Sequence, residues 1–221
     1  GRDAYEIFKY LTSHVQPDKL KRSFISPHQS FPQLKLMILA EIENCKNGLP
    51  SGIWLKCNSL VDHRLIELLY EASQAGVPIE IVARGICCLR PGVAGLSETI
   101  TVRSIIGRFL EHGRIYVFAN GGEFLSDKNI VMISSADLMP RNLRRRVECF
   151  MRLENPTIRK QVLHQIMVAL LRDEKNSWYL QPDGSYVHLQ TDETSFSCHE
   201  YFMSNPSLSG LGSLAGAQDN G

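Results

Sequence analysis

The chain has 221 residues, of which 43% are hydrophobic and 21% are charged, and its formal net charge is +1. This composition is sufficient for a sizeable core and excludes global disorder. The near-neutral charge makes any basic character local. The sequence has no apolar run long enough for a transmembrane helix, which needs about 18 residues, and no signal-peptide pattern.

The chain begins at Gly1 rather than Met and leads at once into a helix-like stretch, which indicates a fragment of a longer protein. Its six cysteines include no Cys-x-x-Cys pair and no histidine spacing typical of a zinc site. Most of them lie in apolar runs, where a free thiol behaves as a small hydrophobic group. We therefore expect a reducing, cytoplasmic setting.

The N-terminal third is predicted to be helical at both ends. Residues 3–12 place apolar side chains on one helical face and are interpreted as the last helix of a preceding unit. Residues 13–33 contain three prolines and indicate a linker with one short strand near Phe24. A second helix is predicted over 33–47, with Gly48 as its C-cap.

A strand, a helix and a second strand follow with short connections. The strands are predicted at 52–56 and 77–82, and the helix between them at 63–74. Such a unit has parallel strands, and ligands bind beyond the carboxyl ends of parallel strands. Three polar residues fall at those ends: Lys56, Asn58 and Arg84.

A hairpin is predicted next. Two apolar runs of strand length, 115–118 and 130–133, flank the turn signal Asn120-Gly121-Gly122. The second run leads into Ser134-Ser135-Ala136-Asp137.

The approach to this hairpin carries a histidine among arginines. We interpret the segment with Arg103 and Arg108 as a charged helical turn. His112 and Arg114 follow, spaced so that an extended chain would place them on one face. An imidazole can move a proton near neutral pH and guanidinium groups bind phosphate oxygens, so this pattern is compatible with phosphoryl chemistry. A solvated pair at a strand entrance explains the same residues, and this stretch alone favours that simpler interpretation.

The remaining chain offers weaker signals. Four arginines occur within residues 141–146, a run typical of a solvated face that could also line a polyanion channel. A last strand is predicted over 147–151, then a helix over 156–172 with Ile158, Val162, Ile166 and Leu170 on its buried face. Periodicity is lost beyond Asn176, and we expect 203–221 to be disordered.

Several motifs, in order and spacing, resemble the C-terminal catalytic domain of the long, multidomain bacterial polyphosphate kinases. The motifs are Ser51–Asp62, Gly76-Val77-Pro78, Ala83–Leu89, Arg108–Tyr116, Asn120-Gly121-Gly122, Ser134–Asp137 and Met139–Asn142. The resemblance covers roughly residues 35–175.

This resemblance implies an α/β fold with a mixed, largely parallel sheet flanked by helices, similar to one half of a phospholipase D. It implies reversible transfer of the terminal phosphate of ATP to inorganic polyphosphate through a phosphohistidine upstream of this chain. His112 matches the second histidine, with a general acid/base role at the leaving group. Arg84 matches an arginine that contacts nucleotide phosphates, and Arg114 is expected to contribute to phosphate binding with it. Lys56 and Arg108 are further candidates for phosphate binding.

The sequence also departs from the related motifs. Arg114 stands where phospholipase D relatives have the lysine of His-x-Lys, and Ala119 stands where they have an aspartate. The absence of that aspartate argues against ordinary phosphodiesterase chemistry, and a phosphodiesterase would also need a second His-x-Lys copy, which the sequence does not contain. A non-catalytic module that binds polyanions or nucleotides through residues 141–146 stays open. Arg108 has a simpler alternative role, an ion pair with Glu111 or Glu98.

The resemblance implies further features of the whole enzyme. Mg²⁺ ligands are expected upstream, so no metal ligand is assigned here. The expected partners are polyphosphate, ATP or ADP, upstream domains and further copies of the chain, with no nucleic acid. The expected location is cytoplasmic, with peripheral attachment at the inner membrane face as a variant. The expected divisions are 1–20 as the tail of a preceding domain, 21–175 as the catalytic domain and 176–221 as a partly disordered extension.

Overall fold

The computed structural model describes residues 1–13, 15 and 20–205. Within them the strands are β1 (Ser23–Ile25), β2 (Ile53–Cys57), β3 (Ile79–Ala83), β4 (Ile100–Ile105), β5 (Ile115–Phe118), β6 (Ile130–Ser134), β7 (Cys149–Arg152), β8 (Ser177–Leu180) and β9 (Tyr186–His188). The α-helices are α1 (Arg2–Ser13), α2 (Ser30–Lys46), α3 (His63–Gln74), α4 (Pro140–Arg144), α5 (Pro156–Lys160), α6 (Val168–Arg172) and α7 (Cys198–Ser204). A π-helical segment (Gln161–Met167) joins α5 to α6.

The strands form a single sheet in the order β1-β7-β6-β5-β2-β3-β4-β8-β9. β2 pairs in parallel with β3, and β3 with β4, while the other neighbouring strands are antiparallel. The predicted α/β fold with a mixed sheet is confirmed, but the prediction that the sheet is largely parallel is wrong. Parallel neighbours need a crossover, which only α3 and the connection at 84–99 provide in the described chain. The hairpins β5–β6 and β8–β9 produce antiparallel pairs instead.

Helices cover both faces of this sheet. On one face α2 and α3 bury Leu34, Ile38 and Leu69 against the central strands. On the other face the π-helical segment and α6 bury Met167 and Leu170 against Val82, Val117 and Val131. The alternating side chains of β3 therefore contribute to two cores, as expected for a sheet covered on both sides.

The helix α3 is formed as predicted. Its N-cap Asp62 accepts a hydrogen bond from the backbone amide of Leu65 at 3.4 Å. The helix ends before Gly76, whose φ of +95° is readily adopted only by glycine. This crossover confirms the predicted parallel pair β2–β3 and brings the carboxyl ends of both strands to one edge.

The segment around Arg103 differs from the prediction. It is not a helical turn but the strand β4, in which Arg103 is 7% exposed. Its guanidinium is 3.0 Å from Glu80 Oε2 and donates to the Leu171 carbonyl at 2.6 Å. The buried charge interrupts the apolar pattern that would otherwise have indicated a strand. Its partners come from distant parts of the chain, so the local sequence does not show that the charge can be buried.

The late helix buries a different set of side chains from the predicted one. Leu163 and Met167 are buried, whereas Ile158 is 48% exposed. A π-helical turn contains more residues than an α-helical turn. The apolar stripe predicted from the α-helical period therefore drifts off the sheet, and only Leu170 of the expected residues is fully buried.

Sequence periodicity failed to reveal the C-terminal elements. β8 extends the sheet from β4, β9 forms its edge, and α7 follows. The disorder expected from residue 203 onward falls outside the described residues except at 203–205, where α7 ends.

The N-terminal helix α1 is formed as predicted but buries no side chain in the described structure. Phe8 is 66% and Leu11 is 46% exposed on its apolar face. All six cysteines are free thiols. None of the helices in the described part of the chain is long and apolar enough to cross a lipid bilayer.

Candidate active site

Polar side chains lie close together at the carboxyl ends of β2 and β3, where the sequence predicted them. Lys56 lies in β2 and is only 4% exposed. Its Nζ is 3.1 Å from Glu111 Oε2 and donates to the Gly113 carbonyl at 3.0 Å. The ammonium group is thus paired with a carboxylate and a backbone carbonyl in a buried position.

Arg84 follows β3 and reaches the same segment. Its Nη1 donates to the Glu111 carbonyl at 2.9 Å. Within the described residues its guanidinium makes no other side-chain hydrogen bond or ion pair. Arg84 thus retains donors that could bind a phosphate oxygen.

His112 is exposed at this edge, and its ring is fixed on one side. His112 Nδ1 lies 3.1 Å from Asn58 Nδ2. The same amide donates to Asp137 Oδ2 at 3.3 Å, which fixes it as a donor. His112 Nδ1 must therefore accept, and the neutral ring carries its proton on Nε2, an assignment that follows from the hydrogen-bond network.

Asp137 is the acceptor on which this arrangement depends. Arg114 binds it through two nitrogens, Nη2 to Oδ2 at 2.8 Å and Nε to Oδ1 at 3.2 Å. The Asn58 backbone amide donates to Oδ1 at 2.8 Å. Burial alone would raise the pKa of Asp137, but the hydrogen bonds from Arg114 and Asn58 outweigh it and lower the pKa. The same ion pair raises the pKa of Arg114.

Arg114 is directed inward, and its third nitrogen, Nη1, donates to the His112 carbonyl at 2.8 Å. Residues 111–114 precede β5 and lack strand geometry, so strand alternation does not place His112 and Arg114 on one face. Each of the three guanidinium nitrogens of Arg114 donates to Asp137 or to the His112 carbonyl. Arg114 holds the histidine-bearing segment in place.

Arg108 is exposed, and the alternative ion pair with Glu111 or Glu98 is not formed in the described structure. The other residues judged peripheral from the sequence, His63 and His164, are exposed on helices.

Sequence reasoning assigned no role to Asp137 or His199. Asp137 follows the end of β6, which runs in the same direction as β2. Its position after a strand could therefore have indicated that it lies at this edge of the sheet.

The carboxylates at this edge do not fit a Mg²⁺ ion. Glu111 is paired with Lys56 and Asp137 with Arg114. In the described part of the chain no group of three or more His, Cys, Asp or Glu side chains is placed to hold a metal ion. The unengaged donors are cationic or neutral, a set that attracts phosphate oxygens rather than a cation.

Fold and site together define an α/β domain that presents a histidine in a cationic setting at the carboxyl edge of its sheet. The family model "Polyphosphate kinase C-terminal domain 2" matches residues 23–199. The chain belongs to this family.

Two curated relatives match this chain over most of its length. The polyphosphate kinase of Erythrobacter litoralis is 52% identical over 212 residues, which are 96% of this chain and 30% of the relative. The polyphosphate kinase of Synechocystis is 46% identical over 187 residues, 85% of this chain and 25% of the relative. The chain therefore spans less than a third of the length of these relatives.

A solved structure gives the same correspondence. The polyphosphate kinase of Porphyromonas gingivalis superposes with a TM-score of 0.84 at 32% identity, covering 93% of this chain and 31% of that one. Nuc from Salmonella typhimurium, a phospholipase D family member, reaches a TM-score of only 0.46 at 13% identity. That value is too low to support an argument about phosphodiesterase chemistry.

Proposed function

We propose that this chain supplies one part of the active site of a polyphosphate kinase, which reversibly transfers the terminal phosphate of ATP to inorganic polyphosphate. The observation that carries this proposal is the meeting of Lys56, Arg84 and His112 at one sheet edge. The phosphorylated histidine would come from sequence upstream of this chain. Family membership supports the reaction, and the cationic edge supports phosphate as the bound group.

His112 is proposed to assist the leaving group. When the upstream histidine attacks the terminal phosphorus of ATP, the bond to the bridging oxygen breaks and ADP departs. The Nε2–H of His112 would donate to that oxygen and recover its proton in the reverse half-reaction. Hydrogen bonding of Nδ1 by Asn58 supports this role, because it places the ring proton on Nε2.

The cationic side chains fall into two groups, those with unused hydrogen-bond donors and those that are already paired. Arg84 has unused donors and is proposed to hold nucleotide phosphate oxygens, while Lys56 would exchange Glu111 for a phosphate. Arg108, exposed and without an ion pair in the described structure, would contact an incoming polyphosphate chain. Arg114 is proposed to act at the phosphate site through its hold on the His112 backbone. Developing charge on the transferred phosphoryl group would be stabilised by this field.

The remaining parts of the proposal concern the whole enzyme. ATP or ADP and polyphosphate as substrates are supported by the names of the relatives. Mg²⁺ would assist transfer from ligands outside this chain, since the donors here do not fit it. Docking onto upstream domains is supported by the apolar face of α1, which is exposed in the described structure. Association into homo-oligomers, absence of nucleic-acid binding and a cytoplasmic or membrane-peripheral location rest on the family resemblance alone.

A second candidate function is a non-catalytic polyanion-binding surface at residues 141–146. Two of its four arginines are paired, Arg144 with Asp62 at 3.1 Å and Arg146 with Glu148 at 3.9 Å. Arg141 and Arg145 are exposed with no ion pair in the described residues. If this surface is the functional one, tripolyphosphate binding will be salt-dependent and insensitive to His112.

The test is made in the full-length enzyme, numbered as in this chain. His112→Gln is expected to lower kcat by about 10²–10⁴-fold, the usual range for a general acid, with a smaller change in the KM for ADP. His164→Gln, at an exposed histidine of the late helix, is the matched control and should retain activity. Full activity of His112→Gln would refute the proposed role.

A further inference from the structure

His199 is a buried histidine that packs against the segment leading to His112. It lies on α7 and is 2% exposed. Its ring meets the ring of Phe109 edge-on, with centroids 5.3 Å apart. Gly107 lies so close that a Cβ there would be 2.5 Å from His199 Nδ1. The ring thus occupies the inner side of residues 107–109.

One nitrogen of His199 is used and the other is not. Nδ1 accepts a hydrogen bond from the Phe109 backbone amide at 3.4 Å, so the neutral ring carries its proton on Nε2. Nε2 lies 3.8 Å from Glu111 Oε1, which is beyond hydrogen-bond length. Nε2 is buried and has no hydrogen-bond partner within the described structure. A buried donor without a partner calls for a physical explanation.

Glu111 is placed between His199 and Lys56. Its Oε2 is 3.1 Å from Lys56 Nζ, and its Oε1 faces His199. A phosphate bound at Lys56 would compete with Glu111 for the ammonium group. The displaced carboxylate would then need another donor, and His199 Nε2–H, 3.8 Å from Oε1, is unsatisfied in the described structure.

We propose that His199 is a positioning residue of the phosphate site. It receives Glu111 when a phosphate takes Lys56, and it thereby keeps residues 107–112, including His112, in place during the exchange. This inference rests on the proposed function. It makes α7 part of the site, although His199 lies 87 residues beyond His112 in the chain.

α7 has anchors that do not involve the His199 ring. Asp173 accepts the backbone amide of Cys198 at 2.8 Å, and the side chain of Ser197 caps the helix. Cys198 itself is fully buried. Because these contacts attach α7 to the domain, a ring substitution at His199 can be separated from loss of the helix.

The test is a double-mutant cycle in the full-length enzyme, with His199→Phe and Glu111→Gln. His199→Phe keeps an aromatic ring against Phe109 and removes both nitrogens. We expect it to lower kcat/KM for polyphosphate by about 10–100-fold in the unmodified background, the range for a displaced catalytic group. In the Glu111→Gln background, His199→Phe should lower kcat/KM for polyphosphate by less than about threefold, because the two residues act as one unit. His199→Gln, which keeps a donor near the Nε2 position, should restore most activity.

Equal losses from His199→Phe in both backgrounds would overturn the proposal, as would full activity of His199→Phe. If His199→Phe does not fold, the same cycle with His199→Gln and His199→Asn decides. Asn should then be the weaker variant, since it cannot reach Glu111.

A second readout is independent of phosphotransfer. Ring ¹⁵N spectra of this chain report the tautomer of His112. In His199→Phe, tripolyphosphate should abolish the fixed Nε2–H tautomer of His112, whereas in the unmodified chain the tautomer should persist. If the full-length enzyme has no kinase activity, the proposed function fails, and this spectrum alone supports or overturns the role of His199.

Discussion

At the scale of single residues, the position of His112 depends on a carboxylate that does not touch it. Asp137 holds Asn58 through the backbone amide and the side chain, and Asn58 holds the histidine ring. Asp137 also binds Arg114, which donates to the His112 carbonyl. The orientation of His112 is therefore determined by two chains of hydrogen bonds that begin at one buried acid.

Replacement of Asp137 by Asn should lower the free energy of unfolding by about 2–4 kcal/mol at pH 7, because it leaves Arg114 without its ion-pair partner. The pKa of Asp137 is lowered in the folded protein. Its contribution is thus complete above the unfolded-state pKa near 4 and is lost as pH falls through the folded-state value. Urea unfolding at pH 7 and pH 3 should show a difference between the two proteins that narrows at pH 3.

The control for this prediction is Asp127→Asn. Asp127 pairs with Arg159 at 2.8 Å, but its side chain is 77% exposed. Removal of an exposed pair should change stability by less than about 1 kcal/mol at either pH. A difference for Asp137→Asn that is identical at pH 7 and pH 3 would contradict the stated role of its ionised form.

At the scale of elements, the helix α2 fixes the start of β2 and the hairpin turn through one buried acid. Glu41 is 1% exposed. Its two oxygens accept the backbone amides of Gly52 at 3.0 Å and Asn120 at 2.6 Å. Burial raises the pKa of Glu41, although these hydrogen bonds act in the opposite direction.

Truncation of Glu41 to Ala should lower the free energy of unfolding by about 2–4 kcal/mol, since it leaves two backbone amides without their acceptor. Chemical unfolding measured by circular dichroism gives this quantity. Glu43→Ala removes an exposed glutamate from the same helix and should cost less than about 1 kcal/mol. Equal losses in both variants would show that the buried hydrogen bonds of Glu41 add nothing.

The sequence predicted those elements whose pattern is local. The helix α3, with its Asp62 cap, and the strands β2, β3, β5 and β6 have regular apolar periods and clear turn signals. β4 was missed because Arg103 interrupts its apolar pattern. The charge of Arg103 is compensated by Glu80, and its guanidinium also donates to the Leu171 carbonyl. The face of the late helix was misplaced because nothing local in the sequence signals a π-helical segment.

At the scale of the molecule, the site edge was predictable and its internal contacts were not. Strand ends placed Lys56, Asn58 and Arg84 together. The segment 106–114 contacts β2 through Lys56 and α7 through His199, and these elements are far apart in sequence. Such long-range pairs leave no periodic signal, so the inward turn of Arg114 and the position of His199 required the structure.

The share of its relatives that this chain covers determines the choice of experiment. The chain spans less than a third of the length of these relatives, and its proposed site contains phosphate-binding and proton-donating side chains but not the nucleophile. The isolated chain should bind tripolyphosphate and produce no ATP.

The central claim is tested most directly by mixing this chain with a separately produced upstream part and measuring ATP formation from polyphosphate and ADP. We predict activity only in the mixture, lost with Arg84→Ala and retained with the exposed control Arg145→Ala. A folded complex that is equally active with Arg84→Ala and His112→Gln would contradict the assignment of the site to this edge.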